Sequence, residues 1–186
     1  TNGNYVVASP IWNNGAVADA GAVTWGSGTA GVKGAVSAAN SLVGSTKSDR
    51  IGSGGITGIT ALTNGNYVVA SPIWDNGATA DAGAVTWGSG TAGVKGAVSD
   101  GNSLVGSTAN DKVGSGGIKA LTNGNYVVAS PVRDIGEQPD AGAVTWGDGT
   151  NGVKGAISAA NSLVGKYYSS AVGSGGVSAL PNGNYV

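Results

Sequence analysis

Asn64-Gly65-Asn66-Tyr67-Val68-Val69-Ala70-Ser71-Pro72 is the stretch that decides the fold. An Asn-Gly turn signal opens it, a run rich in β-branched and aromatic side chains follows, and a proline closes it. That is the pattern of a short strand entered through a tight turn. The string Asn-Gly-Asn-Tyr-Val begins at Asn2, Asn64, Asn123 and Asn182, which sets a period of about 60 residues. The first period is longer because Gly54-Gly55-Ile56-Thr57-Gly58-Ile59-Thr60-Ala61-Leu62 carries an insertion relative to Gly116-Gly117-Ile118-Lys119-Ala120-Leu121. The 186-residue chain therefore reads as one repeat domain, with repeats at 2–63, 64–122 and 123–181 and the start of a fourth at 182–186.

Working outward within one repeat, the pattern stays β. Ala84-Val85-Thr86-Trp87 alternates, with Val85 and Trp87 on one face and Ala84 and Thr86 on the other. Short stretches at Val94 to Val98, Ser103 to Val105 and Ile118 to Leu121 follow, separated by glycine-rich turns. No run of ten or more residues has helical periodicity. Four short strands in each repeat of about 60 residues predict an all-β fold of tandem β-propeller blades, with a β-solenoid as the alternative.

The order of motifs resembles the FG-GAP repeat of integrin-type β-propellers. From Leu104 the chain runs through Val113-Gly114-Ser115, then Asn123-Gly124-Asn125-Tyr126, to Ala129-Ser130-Pro131. Val113-Gly114 stands where that family has Phe-Gly, and Ala129-Ser130-Pro131 where it has Gly-Ala-Pro. The resemblance spans the chain and implies a non-enzymatic, extracellular or cell-surface module for adhesion or ligand binding. The family's calcium loop does not carry over. Asn64-Gly65-Asn66-Tyr67 is shorter and has no carboxylate, whereas calcium takes six to eight oxygen ligands including carboxylates. No metal and no cofactor are expected.

Composition removes whole classes of function. Lys and Arg number 9 against 10 Asp and Glu, a net charge of −1, which argues against a nucleic-acid partner. With no Cys and no His, thiol nucleophiles, Ser-His-Asp triads and the usual zinc sites are out of reach. No apolar run approaches the roughly 18 residues of a membrane helix, so membrane insertion is not expected. Glycine accounts for 36 residues, more than twice the usual share of roughly 7%. With no Met, even at position 1, the chain reads as a segment of something longer. No acid–base pair recurs, so no catalytic residue is assigned and an enzyme is not expected.

Candidate contact residues lie where the copies differ. Trp12 and Trp74 sit just past a proline, and the third copy has Arg133 in their place. Both residue types are favoured at binding surfaces, and half-exposed packing is the competing reading. Their neighbours Asn13, Asp75 and Asp134 add carboxylates and amides, suited to a glycan or a peptide. Asp19, Asp81 and Asp140 occur in every copy and are read as turn residues. A second variable loop covers residues 46–50, 108–112 and 167–171, read as solvated surface, where the third copy carries Tyr167 and Tyr168. Trp25, Trp87 and Trp146 recur in every copy and are assigned to packing between blades. Gly-x-Gly-x-x-Gly strings at Gly26, Gly88 and Gly147 lack a following helix and are read as hairpin turns, not nucleotide sites.

Three blades do not close a propeller, for which four to eight is usual. Self-association is therefore expected, as two chains closing a ring or as a head-to-tail array. Leu180 to Val186 duplicates the opening strand and could exchange with it. Adhesion or ligand binding through variable loops is the first functional reading. A self-assembling surface or filament protein is the second, and a lectin using Trp12 and Trp74 a third.

Overall fold

The computed structural model describes residues 3–54 and 58–186. Asn2 of the first motif and the inserted Gly55-Ile56-Thr57 lie outside the described residues. Among the described residues there are strands and turns and no helix. The first repeat forms β1 (Tyr5–Ser9), β2 (Ala22–Gly26) and β3 (Ser41–Val43). β4 (Ile59–Ala61) ends the first period and leads into the second repeat, which forms β5 (Tyr67–Ser71), β6 (Ala84–Gly88), β7 (Gly96–Ala97) and β8 (Ser103–Val105). β9 (Ile118–Ala120) likewise ends the second period and leads into the third repeat, which forms β10 (Tyr126–Ser130), β11 (Ala143–Gly147), β12 (Gly155–Ala156) and β13 (Ser162–Val164).

Each repeat supplies most of one sheet, whose main strands are antiparallel, and the middle sheet, β4-β5-β6-β8-β12, has all five strands. Its last strand belongs to the next repeat. β12 pairs parallel to β8 through Gly155↔Leu104 and Ala156↔Val105, as β7 pairs with β3 through Gly96↔Leu42 and Ala97↔Val43. Each sheet has the four or five strands expected, but in the first two sheets the outer edge is closed by two residues of the following repeat. A solenoid would pair equivalent strands of successive coils, and here the pairs across repeats are between non-equivalent strands.

Alternation along the strands divides the side chains between two neighbours. Val68, Val85, Leu104 and Val113 of the second repeat pack against Tyr126, Val128 and Ile157 of the third. The opposite face of the same sheet, Tyr67, Val69, Ala84 and Val105, packs against Val23, Leu42 and Ile51 of the first. Hydrophobic stabilisation therefore resides in the seams, as in other repeat folds. Buried hydroxyls inside each sheet satisfy one another, Thr24 with Ser41 and Thr86 with Ser103 at 2.7 Å. The residues after Leu180 fold back on their own chain, Ala179 bridging Tyr185 and the Val186 amide donating to Ser178.

Candidate functional site

Antiparallel topology sends the two ends of each sheet to opposite sides of the molecule. One end holds the Asn-Gly-Asn turns and the Gly-x-Gly-x-x-Gly loops. There the Gly90 carbonyl accepts from Asn4 Nδ2 at 2.7 Å and Trp25 Nε1 at 3.1 Å, both in the preceding repeat. The Gly90 amide donates to Asn66 Oδ1 at 2.9 Å, and Asn66 Nδ2 passes on to the Gly149 carbonyl at 2.8 Å. Gly149 also accepts from Trp87 Nε1 at 2.9 Å and donates to Asn125 Oδ1 at 3.0 Å. A ladder of side-chain amides and glycine peptides thus crosses all three repeats. A Cβ at Gly90 would land on the Gly65 carbonyl, and one at Gly149 on that of Gly124, so only glycine lets the backbones approach closely enough.

The other end carries the variable loops, and the structure redistributes the candidates found there. Trp74 is 3% exposed and Arg133 5% exposed. This position is a plug of the seam, and the reading of Trp74 and Arg133 as surface contact residues is corrected. Trp74 joins Val23, Leu42 and Ile51 of the preceding repeat, with its indole N–H unpartnered. Arg133 instead extends into polar company: Nη2 donates to Ser107 Oγ and to the Ile157 carbonyl, both at 3.1 Å, and Nε lies 3.5 Å from Asp111 Oδ2. Trp12, the same position of the first repeat, is half-buried.

Asp111 and its counterpart Asp49 are fully buried, which corrects the reading of the second loop as wholly solvated. Asp49 Oδ2 accepts from the Ser45 and Thr46 amides, and Oδ1 reaches across the seam to the Asp75 amide at 3.0 Å. Asp111 repeats this with Ser107, Thr108 and Asp134. Burial pushes the Asp49 carboxyl above its ordinary value, and the nearby Asp75 charge adds to this, against the pull of its amide donors. The third copy has Ser170 at this place.

Asn13, Asp75 and Asp134 brace their own loops by accepting from the Asp19, Asp81 and Asp140 amides at 2.8–2.9 Å. Those three aspartates hold φ near +50°, a left-handed conformation that Asp tolerates better than most residues. Such bonds leave only part of each brace for an external partner. Tyr167 and Tyr168 remain open at 66% and 69% exposure, with Lys166 Nζ 5.5 Å from the Tyr167 ring centre. The Tyr168 amide donates to Gln138 Oε1, so the two variable loops of the third repeat are tied together. Thr108 and Ala109 occupy the same places in the second repeat and are exposed although the third repeat is seated beside them. The tyrosines therefore face solvent because of where the loop points.

Sequence reasoning missed Asp49, Asp111 and the phenols. The buried Tyr67 and Tyr126 hydroxyls accept the Val94 and Val153 amides at 3.2 Å, and burial pushes the Tyr126 hydroxyl up to about 12. A usable signal for the aspartates was Ser-Thr-x-x-Asp in two copies, a spacing that lets one carboxylate cap two amides of its own loop. Among the described residues no three acidic groups come together as a metal site would require.

No curated protein matches this chain. A family model does, over residues 1–53, 61–115 and 120–174, each match covering one structural repeat and most of its sheet. The chain belongs to the family described as a repeat of unknown function, DUF5650.

Proposed function

We propose that this chain is a non-enzymatic adhesion or ligand-binding module, built as β-propeller blades and displayed at the cell surface or outside the cell. The observation that carries the reading is a division of labour between residues. Side chains shared by the copies are consumed in the seams, while most differences gather in two loops at one end of every sheet. Those loops touch in each repeat, the Ser48, Asn110 and Ser169 amides donating to the Ala18, Ala80 and Pro139 carbonyls. Repeat folds diversify for binding in this way, with a fixed scaffold and variable tips.

The propeller reading is supported by β4 and β9, leading strands of successive sheets, which lie beside each other as inner strands around a common axis would. The resemblance to FG-GAP repeats supports both the architecture and the location. Within the variable end, Tyr167 and Tyr168 are the contact residues we assign, since exposed tyrosines offer broad amphipathic area at low entropic cost. The lectin reading rests on Trp12 and Trp74; the Trp74 ring is enclosed, which leaves the half-buried Trp12 as its platform.

The test is retention of labelled chain on a defined glycan array and on surfaces coated with collagen or laminin. Retention that falls at least tenfold in a Tyr167→Ala/Tyr168→Ala variant of unchanged circular dichroism supports the assignment. Retention unaffected by that change removes the tyrosines from the site, and no retention on any surface overturns the adhesion reading. Protease accessibility on unlysed source cells tests the location.

A further inference from the structure

Asn-Gly recurs outside the strand-opening motif, as Asn14-Gly15, Asn76-Gly77 and Asn151-Gly152. The dipeptide is chemically labile, because a glycine amide has no side chain to block its attack on the preceding asparagine. Hydrogen bonding decides which copies are held. At Asn64-Gly65 the Gly65 amide donates to the Leu62 carbonyl at 3.0 Å. Asn64 Oδ1 accepts from the Asn66 amide at 3.1 Å, and Nδ2 donates to the Gly149 carbonyl at 2.8 Å. The nucleophile and both ends of the electrophile are engaged there, and the last bond belongs to the ladder across the seam.

Asn14 and Asn76 sit differently. Each opens a two-residue hairpin turn at the variable end, Asn14 exchanging amide bonds with Val17 at 3.0 Å and Asn76 with Thr79 at 2.9 and 3.0 Å. Gly15 and Gly77 follow at the exposed tips with φ near +60°. Among the described residues their amides have no acceptor, and neither Asn14 Oδ1 nor Asn76 Oδ1 has a donor. Each side chain is held by one bond, Asn14 Nδ2 to the Gly44 carbonyl and Asn76 Nδ2 to that of Gly106, both at 3.0 Å. The third copy has Ile135 at this place. Asn151 supplies a contrast. It is exposed, yet its glycine is engaged, the Gly152 amide donating to the Asp148 carbonyl at 2.7 Å and Asn151 Nδ2 to Asp148 Oδ2 at 2.9 Å.

We infer that Asn14 and Asn76 are sites of spontaneous deamidation in the folded chain, with water as the co-reactant. The Gly15 nitrogen gives its proton to hydroxide and bonds to Asn14 Cγ. Nδ2 leaves as ammonia, taking a proton from water and restoring the hydroxide. The cyclic imide then adds water at either carbonyl, which opens it to aspartate or isoaspartate. Closing the ring turns the Asn14–Gly15 peptide, which breaks the Nδ2 bond to Gly44 and the Val17 bond to the Asn14 carbonyl. Loop tips open in this way at low cost. At Asn64 the ring must also free the Gly65 amide and part Oδ1 from the Asn66 amide. Each product places a carboxylate where an amide donated. The tie to Gly44, just after β3, or to Gly106, just after β8, becomes a repulsion between oxygens, and the loop is released from the strand end. Each event also adds a negative charge to the variable end, whatever binds there.

The test holds the folded wild-type chain in mildly alkaline buffer and follows conversion of amide to acid at each site by peptide mass spectrometry, with fragmentation that separates isoaspartate. Each rate is divided by that of the same site in the chain unfolded in urea, which removes the effect of neighbouring sequence. With two fewer bonds to break, Asn14 and Asn76 are expected to convert at least about tenfold faster than Asn64 on this scale. A smaller ratio overturns the inference. So does Asn151 converting as fast as Asn14, since exposure and not the unengaged glycine amide would then decide. In an Asn14→Asp/Asn76→Asp variant, amide exchange at Val17 and Thr79 is expected to quicken about fivefold, the worth of one lost hydrogen bond. Unchanged exchange overturns the release of the loops.

Discussion

Arg133 offers the sharpest test of the seam, because the same position is Trp in the other two repeats. Truncation to Ala removes two hydrogen bonds from Nη2 and the pairing of Nε with Asp111. Breaking a buried pair typically costs about 3–5 kcal/mol. Asp111 keeps its amide donors from Ser107, Thr108 and Asp134, which places Arg133→Ala near the low end, about 3 kcal/mol. Asp111→Ala is worse. It leaves the guanidinium without its counter-charge and orphans the amides of Ser107, Thr108 and Asp134, for about 5 kcal/mol. Arg133→Trp recreates the first seam, where Asp49 is buried beside Trp74 without a cation, and should cost under about 1.5 kcal/mol. Urea unfolding followed by circular dichroism measures the order, and amide exchange at Asp134, whose N–H crosses to Asp111, reports opening of this seam. An Arg133→Trp variant as damaged as Arg133→Ala would refute the idea that either residue serves as a plug.

Gly90→Ala should cost about 3 kcal/mol or more, since the new methyl meets backbone that cannot move aside; thermal unfolding checks this. Trp87→Phe keeps most of the ring but loses the bond to Gly149, for about 1 kcal/mol in the same assay. The raised Asp49 carboxyl means that the folded chain holds this proton more tightly than the unfolded chain. The resulting stability is fully present below the ordinary carboxylate range of about 4 and is lost as pH rises through the folded value. Measured against Asp49→Asn, wild type should therefore lose stability as pH climbs above about 4; a difference independent of pH contradicts this. Ala171→Gly relieves a left-handed backbone at φ 45° and should stabilise by up to about 1 kcal/mol in urea unfolding.

Period, strands and turns were legible because they are local. The Asn-Gly signal, the alternation in Ala84-Val85-Thr86-Trp87 and the closing proline each act within a few residues, and β5, β6 and β8 fall where those signals put them. Partnership across repeats was not legible. A strand of two residues such as Gly96-Ala97 has no periodicity to read, and nothing nearby announces that it belongs to the preceding sheet. The same blindness hid the seam plug. A position that accepts Trp or Arg looks like surface until a buried aspartate is seen waiting for the guanidinium. Asp49 and Asp111 were hidden by the charged residues around them, which do face water. Tyr167 and Tyr168 were identified as differing residues from sequence, but their orientation came only with the fold.

Strand donation also separates the unit that repeats from the unit that folds. The complete middle sheet begins at Ile59, before the second Asn-Gly-Asn turn, and ends at Ala156, well inside the third repeat. A fragment cut at repeat borders carries a sheet without its closing strand and a closing strand without its sheet. Insertion or loss of one whole period, by contrast, leaves every junction with its proper partner. The gene can thus lengthen or shorten by entire copies with little penalty, whereas a break at any other interval damages two neighbours at once.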